Sequence, residues 1–273
     1  MQILTNLLKW ILASSLLITT NLGFSQYTTG ESIGYANAGL SGTNTWVIAY
    51  NPAGVSEVES MEVGVFYNTR FQTKELATKG LVFASPLQGG TLGLWFSSYG
   101  YSQFSQNRLG IAFAKKLNDK LSAGIRMQYL TLKIGEGYGT AKTFTASAGF
   151  QFQLSEEILL SGYIFNPNKS SFTDYNDEKI PALMKGGIKY VFSEKVFITS
   201  EVWASSLDKT NVVVGAEYKI HNKVVLRGGV GTQPFSSSFG FGLKINQFDL
   251  NFSSAHHTNL GFSPAISLLY HGK

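Results

Sequence analysis

Few residues of this chain are spaced for chemistry. His256 and His257 sit beside Ser253, Ser254 and Asn259, the one stretch where a hydroxyl, an imidazole and an orienting amide fall close together in sequence, as a hydrolase would need. Consecutive residues of a strand point to opposite faces, so the two histidines cannot serve one site or one metal while the strand lasts, and they read as a polar rim. The run Asp174-Tyr175-Asn176-Asp177-Glu178 offers hard oxygen ligands for calcium, but at a spacing that matches no binding loop; a solvated loop is the simpler reading. Gly135-Glu136-Gly137-Tyr138-Gly139 has the glycines of a phosphate cradle with no helix behind them. There is no cysteine, which excludes disulfides, thiolate nucleophiles and a lipid anchor on Cys. The expectation is a non-enzymatic protein with no catalytic residue, no metal and no cofactor.

The remaining chemistry is electrostatic, and strands must position it. From Met61 onward apolar residues recur at every second position, as in Leu121, Ala123, Ile125, Met127 and Tyr129, or Phe144, Ala146, Ala148, Phe150 and Phe152. The opposite face carries Arg126, Lys189, Glu201, Glu217, Lys219, Arg227, Lys244 and Asp249. Keeping apolar residues on one face across the His221-Asn222-Lys223 turn sets Ile220 opposite Val224 and Glu217 opposite Arg227. Across Asn246-Gln247 it sets Ile245 opposite Phe248 and Lys244 opposite Asp249. Such pairs are worth about 0.2–1 kcal/mol each. They fit lumen packing better than a charged constriction that selects solutes.

Turn signals give the strand count. Short turns fall at Ser85–Gly90, Asn118–Lys120, Ser155–Glu157, Ser193–Lys195, His221–Lys223 and Asn246-Gln247. Longer connections lie around Thr73–Lys79, Gln103–Asn107, Gly135–Gly139, Asn166–Lys179, Leu207–Thr210, Gln233–Ser237 and His256–Gly261. These thirteen connections imply fourteen strands. An even count, with short turns at one end and longer loops at the other, is the layout of an outer-membrane barrel with both termini in the periplasm. The predicted fold is therefore all-β: a transmembrane antiparallel barrel embedded in outer-membrane lipid. Tyr129, Tyr190, Tyr218 and Tyr270 lie on its apolar face near segment ends, as an interfacial girdle requires.

Composition agrees. Charged residues make up 14% of the chain, against about 25% in an average soluble domain. A mean hydropathy of +0.03 is too low for a bundle of membrane-spanning helices. The formal charge of +5 has no Lys/Arg cluster behind it, so no nucleic-acid partner is implied. Residues 1–25 read as an export signal: Lys9, an apolar run from Trp10 to Leu22, then Gly23-Phe24-Ser25 as the cleavage site. Residues 26–59 form a hatch or plug segment and residues 60–273 the barrel. The hatch is rich in small residues around Gly39 and Gly42, followed by an apolar run from Trp46 to Tyr50 and the Asn51-Pro52-Ala53-Gly54 turn.

The series Ala38-Gly39-Leu40-Ser41-Gly42, then Ala49-Tyr50-Asn51-Pro52-Ala53-Gly54-Val55, resembles the N-terminal signature of the FadL-type superfamily of outer-membrane barrels. That superfamily includes long-chain fatty-acid transporters and the PorV/PorQ proteins of type IX secretion, and the resemblance implies a fourteen-stranded barrel with an N-terminal plug. The stretch from His257 to Tyr270 resembles the last hairpin of PorV/PorQ proteins. The chain departs from the pattern by ending Tyr270-His271-Gly272-Lys273, which leaves Tyr270 as the aromatic nearest the terminus. Its brevity ranks a PorV/PorQ-like accessory barrel first, docking secretion-machinery proteins or holding exported ones at the surface. Second is a FadL-like transporter of hydrophobic small molecules such as fatty acids or aromatics. An accessory barrel should have a filled lumen and expose apolar loop side chains, with Phe104, Tyr138, Phe172, Tyr175 and Phe235 as candidates. A transporter should show an apolar pocket at the hatch and a kinked wall strand.

Overall fold

Period-two alternation carries through fourteen strands that close on themselves. In this computed structural model, which describes residues 29–135, 139–172 and 178–273, they are β1 (Glu62–Arg70), β2 (Thr73–Leu87), β3 (Gly90–Gly100), β4 (Phe104–Lys116), β5 (Leu121–Ile134), β6 (Gly139–Gln153) and β7 (Ile158–Phe165). After a small hairpin of β8 (Ser171–Phe172) and β9 (Glu178–Lys179) come β10 (Leu183–Ser193), β11 (Val196–Ser205), β12 (Asn211–His221), β13 (Val224–Thr232), β14 (Phe235–Ile245), β15 (Phe248–His257) and β16 (Gly261–His271). Every wall pairing is antiparallel, and β16 closes on β1, with Val63 opposite Tyr270. The expected export signal, residues 1–25, lies outside the described residues.

The outward face is the apolar one. Ile125, Met127 and Phe144 are 61%, 60% and 63% exposed, and the same holds around the wall, a continuous apolar belt that only lipid can cover. Tyr190, Tyr218 and Tyr270 point outward near the short-turn ends of their strands, where Tyr190 packs on Phe192 at 4.5 Å and Phe248 on Tyr270 at 5.2 Å. Tyr129 packs on Phe144 at 4.9 Å, farther along the wall.

All six expected short turns are present, but three of the longer connections are tighter than the sequence suggested. Thr73–Lys79 belongs to β2, and the chain reverses at Phe71 and Gln72, whose φ values of 53° and 57° suit a tight hairpin. Phe104–Asn107 lies in β4, and β13 and β14 are joined by Gln233 and Pro234 alone. The polar, glycine- and serine-rich composition that reads as loop also fits a strand beyond the apolar belt, where neighbouring strands supply the partners. The connection from β7 to β10 is the long one.

The hairpin registers place Glu217 opposite Arg227 and Lys244 opposite Asp249. Ile220 does not face Val224, because a bulge between Lys219 and His221 absorbs one residue at the turn without disturbing the register above it.

Inside the wall, the hatch contains helix α1 (Gly30–Ile33) and two 3-10 turns, Thr45–Ala49 and Pro52–Glu57. The second turn packs against β4, β5 and β6, and α1 against β14, β15 and β16, so the segment crosses the lumen from wall to wall.

Candidate functional site

Both 3-10 turns begin on an asparagine cap. Asn44 Oδ1 accepts from the Trp46 amide at 3.1 Å, and Asn51 Oδ1 from the Ala53 amide at 3.1 Å, with Pro52 in the first turn where no amide donor is needed. Asn51 is fully buried, and its Nδ2 donates to the carbonyls of Leu40 and Phe150 at 3.2 and 3.1 Å, joining hatch to wall. Gln151 Nε2 adds bonds to the Leu40 and Gly42 carbonyls at 3.2 and 2.9 Å. Gly54 is obligatory, since a Cβ there would lie 2.8 Å from both Gln151 Nε2 and Val47 and closer still to the Gly42 carbonyl. On the wall, a Cβ at Gly124 would lie 2.6 Å from the Pro52 backbone. A Cβ at Gly39 would meet the Tyr50 ring at 2.8 Å.

Polar residues on the inner wall grip the hatch. Glu201 accepts from the Leu40 amide and from Trp203 Nε1, each at 2.7 Å. Arg126 donates to the Ile48 carbonyl and, at 2.6 Å, to the Tyr163 hydroxyl, and stacks on Trp95 at 5.2 Å. Arg227 joins Glu217 at 2.9 Å and Asn251 at 2.7 Å to Glu31 of α1 at 3.5 Å. Burial pushes the Glu31 carboxyl above its ordinary range, against the pull of Arg227. At the barrel seam His271 stands between Glu62 at 2.8 Å and Asp249 at 3.1 Å, with Lys244 3.7 Å from Asp249. Glu62 also accepts from the Thr45 amide at 2.9 Å, which ties the seam to the hatch. Tyr50 is fully enclosed, and burial raises its hydroxyl to about 12.

The hatch is packed on one side and borders a cavity on the other. Toward the long-loop end the inner wall turns apolar: Leu130 and Leu132 of β5, Ala141 of β6 and Phe165 of β7 join one cluster with Trp46, Val47 and Ile48 of the hatch. Phe172 and Ile180, from the long connection, fold into the same cluster, and Phe104, Ile134 and Leu183 pack against it. Asn166 holds that connection in place, donating to the Ser170 and Ile180 carbonyls at 3.1 and 2.9 Å. On the β10–β16 side a polar cavity of about 750 Å³ runs from the hatch to the short-turn end, lined by residues such as Glu31, Lys189, Lys195, Lys219 and Asp249.

The residues singled out by sequence all face the interior, but they do not form one site. Asn51, Pro52, Ala53 and Gly54 belong to the packed half of the hatch, together with Arg126, while Gly39 and Gly42 border the polar cavity. Glu217, Arg227, Lys244, Asp249 and Lys189 line the polar cavity, and Glu201 sits at the boundary. The structure corrects the expected outer apolar patch. Phe172 is buried and Phe104 is turned inward, because Phe172 and Ile180 on the described ends of the long connection join the inner apolar cluster and Phe104 packs against it; Phe235 is exposed, and Tyr138 and Tyr175 lie outside the described residues. His256 packs on Phe262 at 4.7 Å while His257 approaches Phe71 at 6.0 Å, so they serve no common site. Of the Asp174–Glu178 run, residues 174–177 lie outside the described residues.

Sequence reasoning missed Glu31, Glu62 and Lys185. Lys185 was within reach, since it shares strand parity with Lys189; its ammonium lies 3.8 Å from the Trp203 ring centre and 5.7 Å from that of Tyr50. Leu130 and Leu132 were legible too, since the parity that turns Gln128 inward turns them inward as well.

No protein-family model matches the chain, and no curated protein matches it. Solved structures do. The CymD monoaromatic hydrocarbon channel superposes with a TM-score of 0.68 at 14% identity, covering 91% of this chain and 98% of its own. The Pseudomonas putida toluene transporter TodX gives 0.65 at 12% identity, covering 91% and 99%. A FadL homologue from Pseudomonas aeruginosa gives 0.60 at 12% identity, covering 89% and 98%. At these identities the likeness is one of fold, and it extends over nearly the whole of each channel: this chain folds as they do.

Proposed function

We propose that the protein is an outer-membrane channel for small hydrophobic molecules, exported by residues 1–25 and oriented with its short turns and barrel termini in the periplasm. The observation that carries this reading is the apolar inner wall at the long-loop end, where Leu130, Leu132, Phe165, Phe172 and Ile180 pack in one cluster with the hatch residues Trp46 and Ile48. A pore for polar solutes would present polar side chains along that path. The similar fold of the hydrocarbon and toluene channels supports the same reading.

This reverses the ranking drawn from sequence, in which an accessory barrel docking secretion-machinery proteins came first. That ranking expected a filled lumen and apolar loop side chains facing outward; the long-loop end is packed, but Phe104 and Phe172 turn inward, and the similar fold of the hydrocarbon and toluene channels supports the reversed order. The hatch separates the apolar mouth from the polar cavity, so passage requires it to shift against β7 and β11, to which Ser41 and Leu40 are bonded. The test is uptake of radiolabelled toluene and of a labelled fatty acid by a Gram-negative host without such channels. Expression should raise the initial rate several-fold for at least one of them. Rates equal to those of the empty host for both would overturn the proposal.

A further inference from the structure

The polar cavity holds a cationic surplus that the hatch does not use. Of the carboxylates lining it, Glu31 and Glu217 are engaged by Arg227, and Asp249 by Lys244 and His271. Glu194, at the turn between β10 and β11, is the remaining one, and the same cavity is lined by three further lysines, Lys189, Lys195 and Lys219. Among the described residues none of these three ammonium groups has a carboxylate oxygen within 4.0 Å. Lys189 lies in β10, Lys195 in the turn that leads into β11, and Lys219 in β12 on the far side of β11: Lys219 donates its amide to the Lys195 carbonyl at 2.8 Å, and Lys189 is the register partner of Thr199 in β11.

Thr199 is the independent observation. It lines the cavity and is 1% exposed, yet its hydroxyl has no hydrogen-bond partner. A buried hydroxyl is ordinarily satisfied; one left without a partner at the register position opposite Lys189 puts a hydroxyl and an ammonium, two donors of the kind an oxyanion needs, on neighbouring strands of the cavity lining. The ammonium of Lys189 is steadied by the Phe197 ring, 4.1 Å from its centre.

We infer that the cavity binds an oxyanion, the carboxylate or phosphate group of a periplasmic solute, between Lys189 and Thr199, with Lys195 and Lys219 supplying the surrounding positive field. The site stands apart from the channel reading, since it needs neither hatch movement nor transport.

Titration calorimetry on the full barrel in a nonionic detergent tests it, with benzoate and inorganic phosphate as probes and benzamide as the neutral counterpart of benzoate. Thr199→Val keeps the side-chain shape and removes the donor, Lys189→Met removes the charge, and Lys79→Met, on an exposed lysine of β2, is the control. Saturable binding of benzoate or phosphate, weakened about tenfold or more by each cavity variant and unchanged by the control, is the expected result. Benzoate alone would identify an organic carboxylate, and phosphate as well would extend the site to phosphate-bearing solutes. Absence of saturable binding by both anions, equal binding of benzamide, or binding unmoved in both cavity variants would overturn the inference.

Discussion

Arg227→Met should be among the most destabilising single substitutions in the wall. Its guanidinium is 6% exposed and stands between Glu217 and Glu31, whose side chains are 10% and 12% exposed, at 2.9 and 3.5 Å. Methionine keeps most of the volume but leaves two nearly buried carboxylates without a cation. Removing one partner of a buried ion pair costs about 3–5 kcal/mol. The adjoining cavity offers some water, which argues for the lower end, about 3 kcal/mol. With a urea m-value of about 3 kcal/mol/M, the upper end of the ordinary range, the unfolding midpoint should fall by about 1 M. The assay is urea unfolding in lipid vesicles followed by tryptophan fluorescence, which reports on Trp46 in the hatch and on Trp95 and Trp203 in the wall. Adding Glu217→Gln to Arg227→Met should recover part of the loss, giving a coupling energy of about 1–3 kcal/mol. Arg227→Lys should be intermediate, since an ammonium keeps the charge but cannot reach Glu217, Glu31 and Asn251 together as the guanidinium fork does. An Arg227→Met midpoint equal to wild type, or strictly additive losses in the double variant, would refute the reasoning.

Asn51→Leu removes the cap of the second 3-10 turn and both bonds to the Leu40 and Phe150 carbonyls, and should lower stability by about 2–4 kcal/mol in the same assay. Gly124→Leu places a side chain where the Pro52 backbone lies, so it should expel that half of the hatch while leaving the wall intact. Its readout is faster proteolysis within residues 29–58 of a barrel that still migrates as folded. Lys116→Ala, by contrast, breaks an exposed pair with Glu57 at 2.8 Å and should change the unfolding free energy by less than about 0.5 kcal/mol.

The wall was legible in the sequence because alternation is a local signal. Each strand announces its own two faces, and the register of β12 with β13 and of β14 with β15 followed from keeping those faces aligned. The interior was less legible, because the hatch has no period. Nothing local in Gly30–Ile33 says that Glu31 meets Arg227, almost two hundred residues later, or that Thr45 meets Glu62 beside His271. The error over Phe172 has the same origin: whether an apolar side chain in a long connection faces solvent or the mouth of the barrel is decided by how that connection closes, here through Asn166.

Hydrophobic solutes crossing through the lumen past the hatch is the central claim, and a reversible lock tests it most directly. The chain has no cysteine, and the hydroxyls of Ser41 in the hatch and Ser161 in β7 lie 2.8 Å apart. Ser41→Cys with Ser161→Cys should therefore form one disulfide that fixes the hatch to the wall. Initial uptake of radiolabelled toluene should fall to the empty-host rate in the oxidised variant and return to the wild-type rate on reduction. Wild-type uptake by fully oxidised protein would contradict the account.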